Sequence, residues 1–342
     1  MTTQKSYFLS IFSLCFILFL YSNCETEEYK GSISGKIFND ANINNFQDEG
    51  EEGIESVFVE MAFPDGSTEH TFTDGEGNYE FGGLPAGGYL ILLNNETTCL
   101  AGGEANLYVD LTDNQNFTDA NLGIKKLEEH NVALRFKGML NGINFSFGQI
   151  EQNHDNLPYT FERFDFYVSN ITLIDENGAE VLLAEVELYD LNCTKPIVSQ
   201  IPAGNYSSIK IGLGLNESLN ASDPTLFAAG HPLSYVNSEH YWSWATRYIF
   251  LMVEGKIGTT TSLDSIFLYH LGKDDLYEEV ILERNITVSE NEVTDIDVLI
   301  DVDKLFYNND TSVDMMIDNV SHTNDSFELA SEIYSNFAKA VR

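Results

Sequence analysis

Basic residues are scarce in this chain. Lysine and arginine together number 17 against 54 aspartates and glutamates, a formal net charge of -37. Nucleic acid is excluded as a partner, because binding it depends on neutralising phosphates with basic side chains. Cysteine is also sparse, with four residues and no Cys-x-x-Cys pair, which excludes thiolate zinc sites and thioredoxin-type chemistry. Gly-x-Ser-x-Gly, His-Glu-x-x-His and a phosphate-cradling glycine loop are all missing. Carboxylates are so abundant that no catalytic pair stands out from the background. An enzyme is not expected.

What is present begins with an export signal. Lys5 precedes a mostly apolar run from Tyr7 to Tyr21 that stops just before Cys24. The run is too short and wrongly flanked for a membrane span, and has the layout of a secretory signal. Residues 1–23 read as a lipoprotein-type signal peptide with Cys24 as the lipidated residue, although Tyr21 and Asn23 depart from the usual residues before such a cysteine. Residues 24–30 form an acidic tether through Glu25, Glu27 and Glu28. Acidic residues directly behind a lipidated cysteine resemble the signal that sends some lipoproteins to the cell surface. An outer membrane lipoprotein, exposed on the surface and held to the membrane through Cys24, is the expectation. Cys99 and Cys193 can pair in an oxidising compartment or remain two unrelated buried thiols.

The mature chain is long enough for two domains. Residues 31–124 read as short strands separated by turns, with turn chemistry at Pro64-Asp65-Gly66 and from Asp74 to Asn78. Even strand spacing argues a small β-sandwich. The stretches GSISGKIFNDANINNFQDEGEEGIESVFVEM and TFTDGEGNYEFGGLPAGGYLI resemble the SdrD B-type repeat of bacterial surface proteins, a relative of transthyretin-like sandwiches. Within it Asp40, Asn42, Asn44, Asp48 and Glu51 fall at positions 1, 3, 5, 9 and 12 of a calcium loop, with the carbonyl of Phe46 at 7. Asn45 occupies the sharp-turn position, where asparagine tolerates positive φ. The same residues can instead be a polar loop closed by its own Asx turns.

A hinge at Lys125–His130 leads to a second, larger run of strands, residues 131–342. In RFDFYVSN the apolar Phe164, Phe166 and Val168 alternate with Arg163, Asp165 and Tyr167, and Ile296, Val298 and Ile300 share one face of DIDVLIDV. Leu329, Ile333, Phe337 and Val341 recur at helical spacing. The fold class is therefore all-β: two β-sandwich domains in series, with a C-terminal amphipathic helix packed on the second. IPAGNYSSI, from Ile201 to Ile209, echoes LPAGGYLI in the first domain. Both tryptophans and three of the seven histidines lie between His231 and Gly272. In an extended strand His240, Trp242 and Trp244 share a face, as do Ile266, Leu268 and His270 in a later strand. Imidazole beside indole can form a soft metal site or simply pack.

FERFDFYVSNITLIDENG, IPAGNYSSIKIGLGLNESLN, HPLS, YWSW, YIFLMVEG, FLYHLG and SHTNDSFELASEIYSNFA, in that order, resemble the MbnP family of bacterial copper-binding proteins. The resemblance implies an extracytoplasmic sandwich that binds copper, in some members beside a tryptophan oxidised by a dihaem peroxidase-like partner. It carries His231, Trp242, Trp244 and His270 over as the copper constellation, with His322 as a weaker member. His240 stands where many relatives have methionine and can add a ligand. Ser243, Tyr269 and Glu254 are the candidates for fixing histidine tautomers. Arg247 departs from the small residue, commonly glycine, that relatives place before Tyr248. The competing expectation is a structural or adhesive surface protein without a metal. His231 can cap a loop, His322 can cap the last helix, and either tryptophan can be packing.

Overall fold

The computed structural model describes residues 31–342 apart from 43, 94–105, 127–129, 194, 244–245, 260–261 and 309–310. Cys24, the signal and the tether lie outside the described residues, as do Cys99 and Trp244. Among the described residues no helix is long and apolar enough to cross a membrane.

The first eight strands are β1 (Gly31–Asn39), β2 (Phe58–Ala62), β3 (Thr68–Phe72), β4 (Asn78–Leu84), β5 (Gly87–Leu93), β6 (Asn106–Leu111), β7 (Asn116–Phe117) and β8 (Leu122–Ile124). They form two sheets, β4-β1-β7 with β8 on β1, and β3-β2-β5-β6. Period-two alternation decides which side chains go inward: Ile33 and Ile37 of β1 meet Val59, Met61 and Ile91 in one core. Gly35 lies on the same inward row, and a Cβ there would sit 1.9 Å from the carbonyl oxygen of Ala120. Only glycine fits that approach. The turn expected from Asp74 forms as read, with Asp74 Oδ1 accepting from the N–H groups of Glu76 and Asn78, and Gly77 at φ +84°.

The remaining strands are β9 (Val132–Leu140), β10 (Ile143–Asn144), β11 (Glu151–Gln152), β12 (Pro158–Asp175), β13 (Glu180–Asp190), β14 (Ile197–Ser199), β15 (Gly204–Leu213), β16 (Tyr241–Trp242), β17 (Arg247–Tyr248), β18 (Leu251–Ile257), β19 (Ser265–Leu271), β20 (Glu278–Val288), β21 (Thr294–Asp301) and β22 (Val320–Ser321). The larger sheet runs β20-β15-β12-β18-β19-β22, with β11 and β13 also on β12, and it faces β10-β9-β14 with β21 parallel to β9. The long β12 pairs with β18 through its first half and β15 through its second. The register shifts where Asn170 takes φ +49°, a conformation asparagine adopts more readily than most residues.

Between the sheets the core is aromatic. Phe136 packs edge-on to Phe166 at 5.2 Å and Tyr189 at 5.0 Å, and Phe166 meets Phe337 of the C-terminal helix at 5.4 Å. Each such ring removed from water stabilises the fold by roughly 1.5–3 kcal/mol. The helix, Phe327–Ala340, buries Ile333 and Phe337 as their spacing requires. The echoed motifs also share a contact: Tyr89 donates its hydroxyl to the carbonyl of Pro85, and Tyr206 to that of Pro202, both at 2.8 Å.

The outer face of β12 departs from the simple alternation. Asp165 and Tyr167 are as buried as their apolar neighbours, because the segment after β15 folds back across the sheet. Tyr167 donates to Pro232 O at 3.0 Å and Tyr248 to Leu233 O at 2.9 Å. This cover positions the candidate site.

Candidate metal centre

Three neighbouring strands present one row of side chains under the edge of that cover. Arg163 on β12 stands opposite Glu254 on β18, and Met252 on β18 stands opposite His270 on β19. Directly paired residues point to the same side, so all four face the cover. Burial works against the Arg163 cation, but the bonds to Glu239 and Asp165 outweigh it and hold the guanidinium charged.

Trp242, His270 and His322 come together here. The Trp242 ring centre lies 5.4 Å from His270 and 5.4 Å from His322, and the two imidazoles are 5.5 Å apart. His270 Nε2 is 2.7 Å from Glu254 Oε1, while its Nδ1 is buried with no hydrogen-bond partner among the described residues. A carboxylate accepts only, so Nε2 carries the proton and Nδ1 keeps a free lone pair. Burial pulls the His270 pKa below the ordinary histidine value, with Glu254 opposing and the His322 and Arg163 charges adding to the fall. The ring is thus held neutral and ready to donate. His322 is arranged in mirror fashion, Nδ1 lying 2.9 Å from Asp325 Oδ2, which leaves Nε2 as its donor.

Metal–nitrogen bonds near 2.0 Å put a bound ion about 3 Å from each ring centre. Imidazoles 5.5 Å apart can therefore share one ion. Two imidazoles are the available donors; no group of three or more His, Cys, Asp or Glu side chains able to hold a metal occurs among the described residues.

The other expected residues lie elsewhere. His240 and Trp242 do not share an extended strand: His240 ends a 3-10 helix, Tyr235–His240, and only Tyr241–Trp242 is extended. His240 is buried with Nε2 3.2 Å from Asp165 Oδ2 and with Nδ1 unpartnered, edge-on to Tyr167. His231 stacks on Phe227 at 4.3 Å and its Nδ1 accepts from the N–H of Leu233. Its Nε2 then carries the proton, so this neutral ring has no lone pair left for a metal. Of the three tautomer-fixing candidates, only Glu254 meets a ring nitrogen. Tyr269 is buried with its hydroxyl on Asp318 O, and Ser243 is exposed. Asp165 and Asp325 were not singled out from the sequence, although Asp325 stands three residues beyond His322.

Arg247 adopts φ +66° in β17, opposite Trp242. That left-handed conformation is where glycine is free of strain, which accounts for the glycine expected before Tyr248.

In the first domain the side chains of Asp40, Asn42, Asn44, Asp48 and Glu51 are joined by hydrogen bonds within the loop. Asp40 accepts from the N–H groups of Asn44 and Asn45, Glu51 from those of Ala41 and Asp48, and Asp48 Oδ2 from the amides of Asn42 and Asn44. Asn45 has φ +60°. The side chain of Phe46 is exposed, and its N–H bonds Asn44 Oδ1. These bonds include Asx turns and centre on Asp48. Cys193 is disulfide-bonded, with its partner outside the described residues.

Residues 129–324 match the MbnP family. The chain belongs to the MbnP family. Residues 31–133 match the SdrD B-like domain, so the two resemblances stand in the expected order. No curated protein matches this chain. Among solved structures, MbnP from Methylosinus trichosporium is 18% identical, covering 54% of this chain and 79% of its own, with a TM-score of 0.35. The shaft pilin SpaA from Lactobacillus rhamnosus GG is 10% identical over 53% of this chain and 86% of its own, TM-score 0.25. The minor pilin GBS52 of Streptococcus agalactiae is 12% identical over 79% and 94%, TM-score 0.23. The MbnP family assignment rests on the sequence match, not on these distant likenesses.

Proposed function

We propose that this MbnP-family protein is a non-catalytic, cell-surface lipoprotein whose second sandwich holds copper between His270 Nδ1 and His322 Nε2, beside Trp242. The observation that carries the reading is the buried, unpartnered Nδ1 of His270 backed by Glu254 on the other ring nitrogen. Orientation of a ligating imidazole by a carboxylate is the usual support of a metal site. Neutral imidazole suits both copper oxidation states, and bound copper would supply redox chemistry next to the indole. The chain's own residues hold the His270 ring neutral, orient both imidazoles and keep the Arg163 charge tied to Asp165 and Glu239. Trp244 is the proposed supplement to the donor set, and a dihaem peroxidase-like protein is the proposed partner. Cys24 tethers the protein to the outer membrane. The first domain takes calcium in the Asp40–Glu51 loop, stiffening the membrane-proximal end.

The competing reading, a surface spacer or adhesin without a functional metal, is favoured by the restriction of the cluster to two imidazoles among the described residues. Metal analysis separates the two. After copper loading and dialysis, the wild type should retain stoichiometric copper, His270→Ala and His322→Ala should lose it, and His231→Ala should keep it. Absence of retained copper in the wild type would leave the structural reading in its place.

A further inference from the structure

At the other end of β18, where Tyr159 pairs with its last residue, Ile257, lies a cavity of about 270 Å³. Two short hairpins make its mouth. In one, Asn153 Oδ1 accepts from the N–H groups of Asp155 and Leu157 and turns the chain from β11 into β12. In the other, Tyr307 is bridged to Ser312. His154 lies flat on Tyr307, ring centres 3.5 Å apart and planes within 7°, and clasps the hairpins together.

The polar groups inside are not used by the fold. Tyr159 is 2% exposed and lines the cavity, and its hydroxyl, which bonds no described residue, opens onto the cavity rather than being sealed in the protein. Asp303 also lies in the wall, and burial raises its pKa. Asn141, Gln152 and Ser312 line the same space, their side chains without hydrogen-bond partners among the described residues.

This set dictates the chemistry of an occupant. A phenol and amide N–H groups need acceptors, whereas a carboxylate and amide carbonyls need donors. An ammonium supplies donors only. An anion supplies acceptors only and would face Asp303 and Asp155. A hydroxyl supplies both, and adjacent hydroxyls on a ring supply several of each. The flat His154–Tyr307 pair offers an aromatic surface for the C–H face of such a ring. The volume lies just below the roughly 300 Å³ at which pockets for larger ligands begin, so one ring fits and a chain does not.

We propose that this cavity binds a single uncharged pyranose ring, with Tyr159 and Asp303 as its polar anchors. The site is independent of the copper reading. The test is calorimetric titration of the full chain with methyl α-glucoside, methyl β-galactoside and N-acetylglucosamine, in wild type, Tyr159→Phe and Asp303→Asn. At least one sugar should bind the wild type. Losing one anchor should weaken it about tenfold, as expected for one hydrogen bond. The melting temperature of Tyr159→Phe should not fall, because its hydroxyl holds nothing in the free protein; Asp303→Asn provides the second reading if it does. No binding by any of the three sugars overturns the proposal, as does equal binding in both variants. So does binding of ethanolamine but no sugar, which would make this a cation site.

Discussion

Glu254 Oε1 lies 2.7 Å from His270 Nε2 and so decides which nitrogen of that ring is free. Glu254→Gln keeps the shape but lets an amide N–H face the ring, allowing the proton to move to Nδ1 and block the donor. Copper affinity should fall about 10- to 100-fold, the usual consequence of losing the carboxylate behind a ligating histidine. Competition against a chromophoric copper chelator measures this. Unchanged affinity in Glu254→Gln would mean that copper, if bound, does not use His270 Nδ1.

The Asp40–Glu51 loop yields a prediction about metal removal. Hydrogen bonds from Asn42 and Asn44 hold the Asp48 carboxyl below its ordinary pKa, so it is ionised and central in the loop at neutral pH. If calcium replaces those amide donors, millimolar calcium should raise the melting temperature of the first domain through mass action. Affinity should be in the range of about 0.1–1 mM typical of extracellular modules. Chelator should reverse the gain, and Asp48→Ala should abolish it. A melting curve indifferent to calcium would identify the loop as closed by its Asx turns alone.

Much of this fold is legible in the chain because sheets impose a period of two. Ile296, Val298 and Ile300 face inward as their alternation required, and Ile333 and Phe337 follow the helical period just as closely. The candidate centre is legible only in part. His270 and His322 are separated by 51 residues, and what joins them is the parallel pairing of β19 with β22, a short pairing with no local signature. His240 lies off the expected strand because, although the run from Tyr235 resembles one, Ser234 caps a 3-10 helix there, accepting from the N–H of Val236. The burial of Asp165 and Tyr167 depends on the folded-back cover, and alternation along β12 alone contains no trace of that cover.

Arg247 stores backbone strain at φ +66°. Its side chain is exposed, so the substitution Arg247→Gly removes little packing and relieves the left-handed penalty of about 1–2 kcal/mol. Greater freedom of glycine in the unfolded chain takes some of that back. The net expectation is a gain of about 0.5–1 kcal/mol in chemical denaturation, with the same denaturant slope. A loss of stability would show that the Arg247 side chain makes a contact worth more than the strain.

Asp301 fastens the C-terminus. It accepts from Arg342 Nε and Nη2, both at 2.9 Å, and from Lys304 Nζ at 2.5 Å. The Arg342 bonds lower the Asp301 pKa most; burial opposes and Lys304 adds to the fall. A carboxyl whose folded pKa is depressed contributes stability above its unfolded value, near 4, and loses it as pH falls through the lower folded value. Both cations are about half exposed, at 50% and 45%, so screening limits the contribution to about 1 kcal/mol. Asp301→Asn should therefore melt about 2–4 °C below the wild type at neutral pH. That gap should stay constant down to about pH 5 and close as the solution becomes more acidic. Calorimetric melting across the acid range tests it. A deficit of constant size at every pH would mean that Asp301 acts through shape and hydrogen bonding rather than charge, and that the strap joining Arg342 to β21 is held by the paired backbone of Leu299 and Arg342.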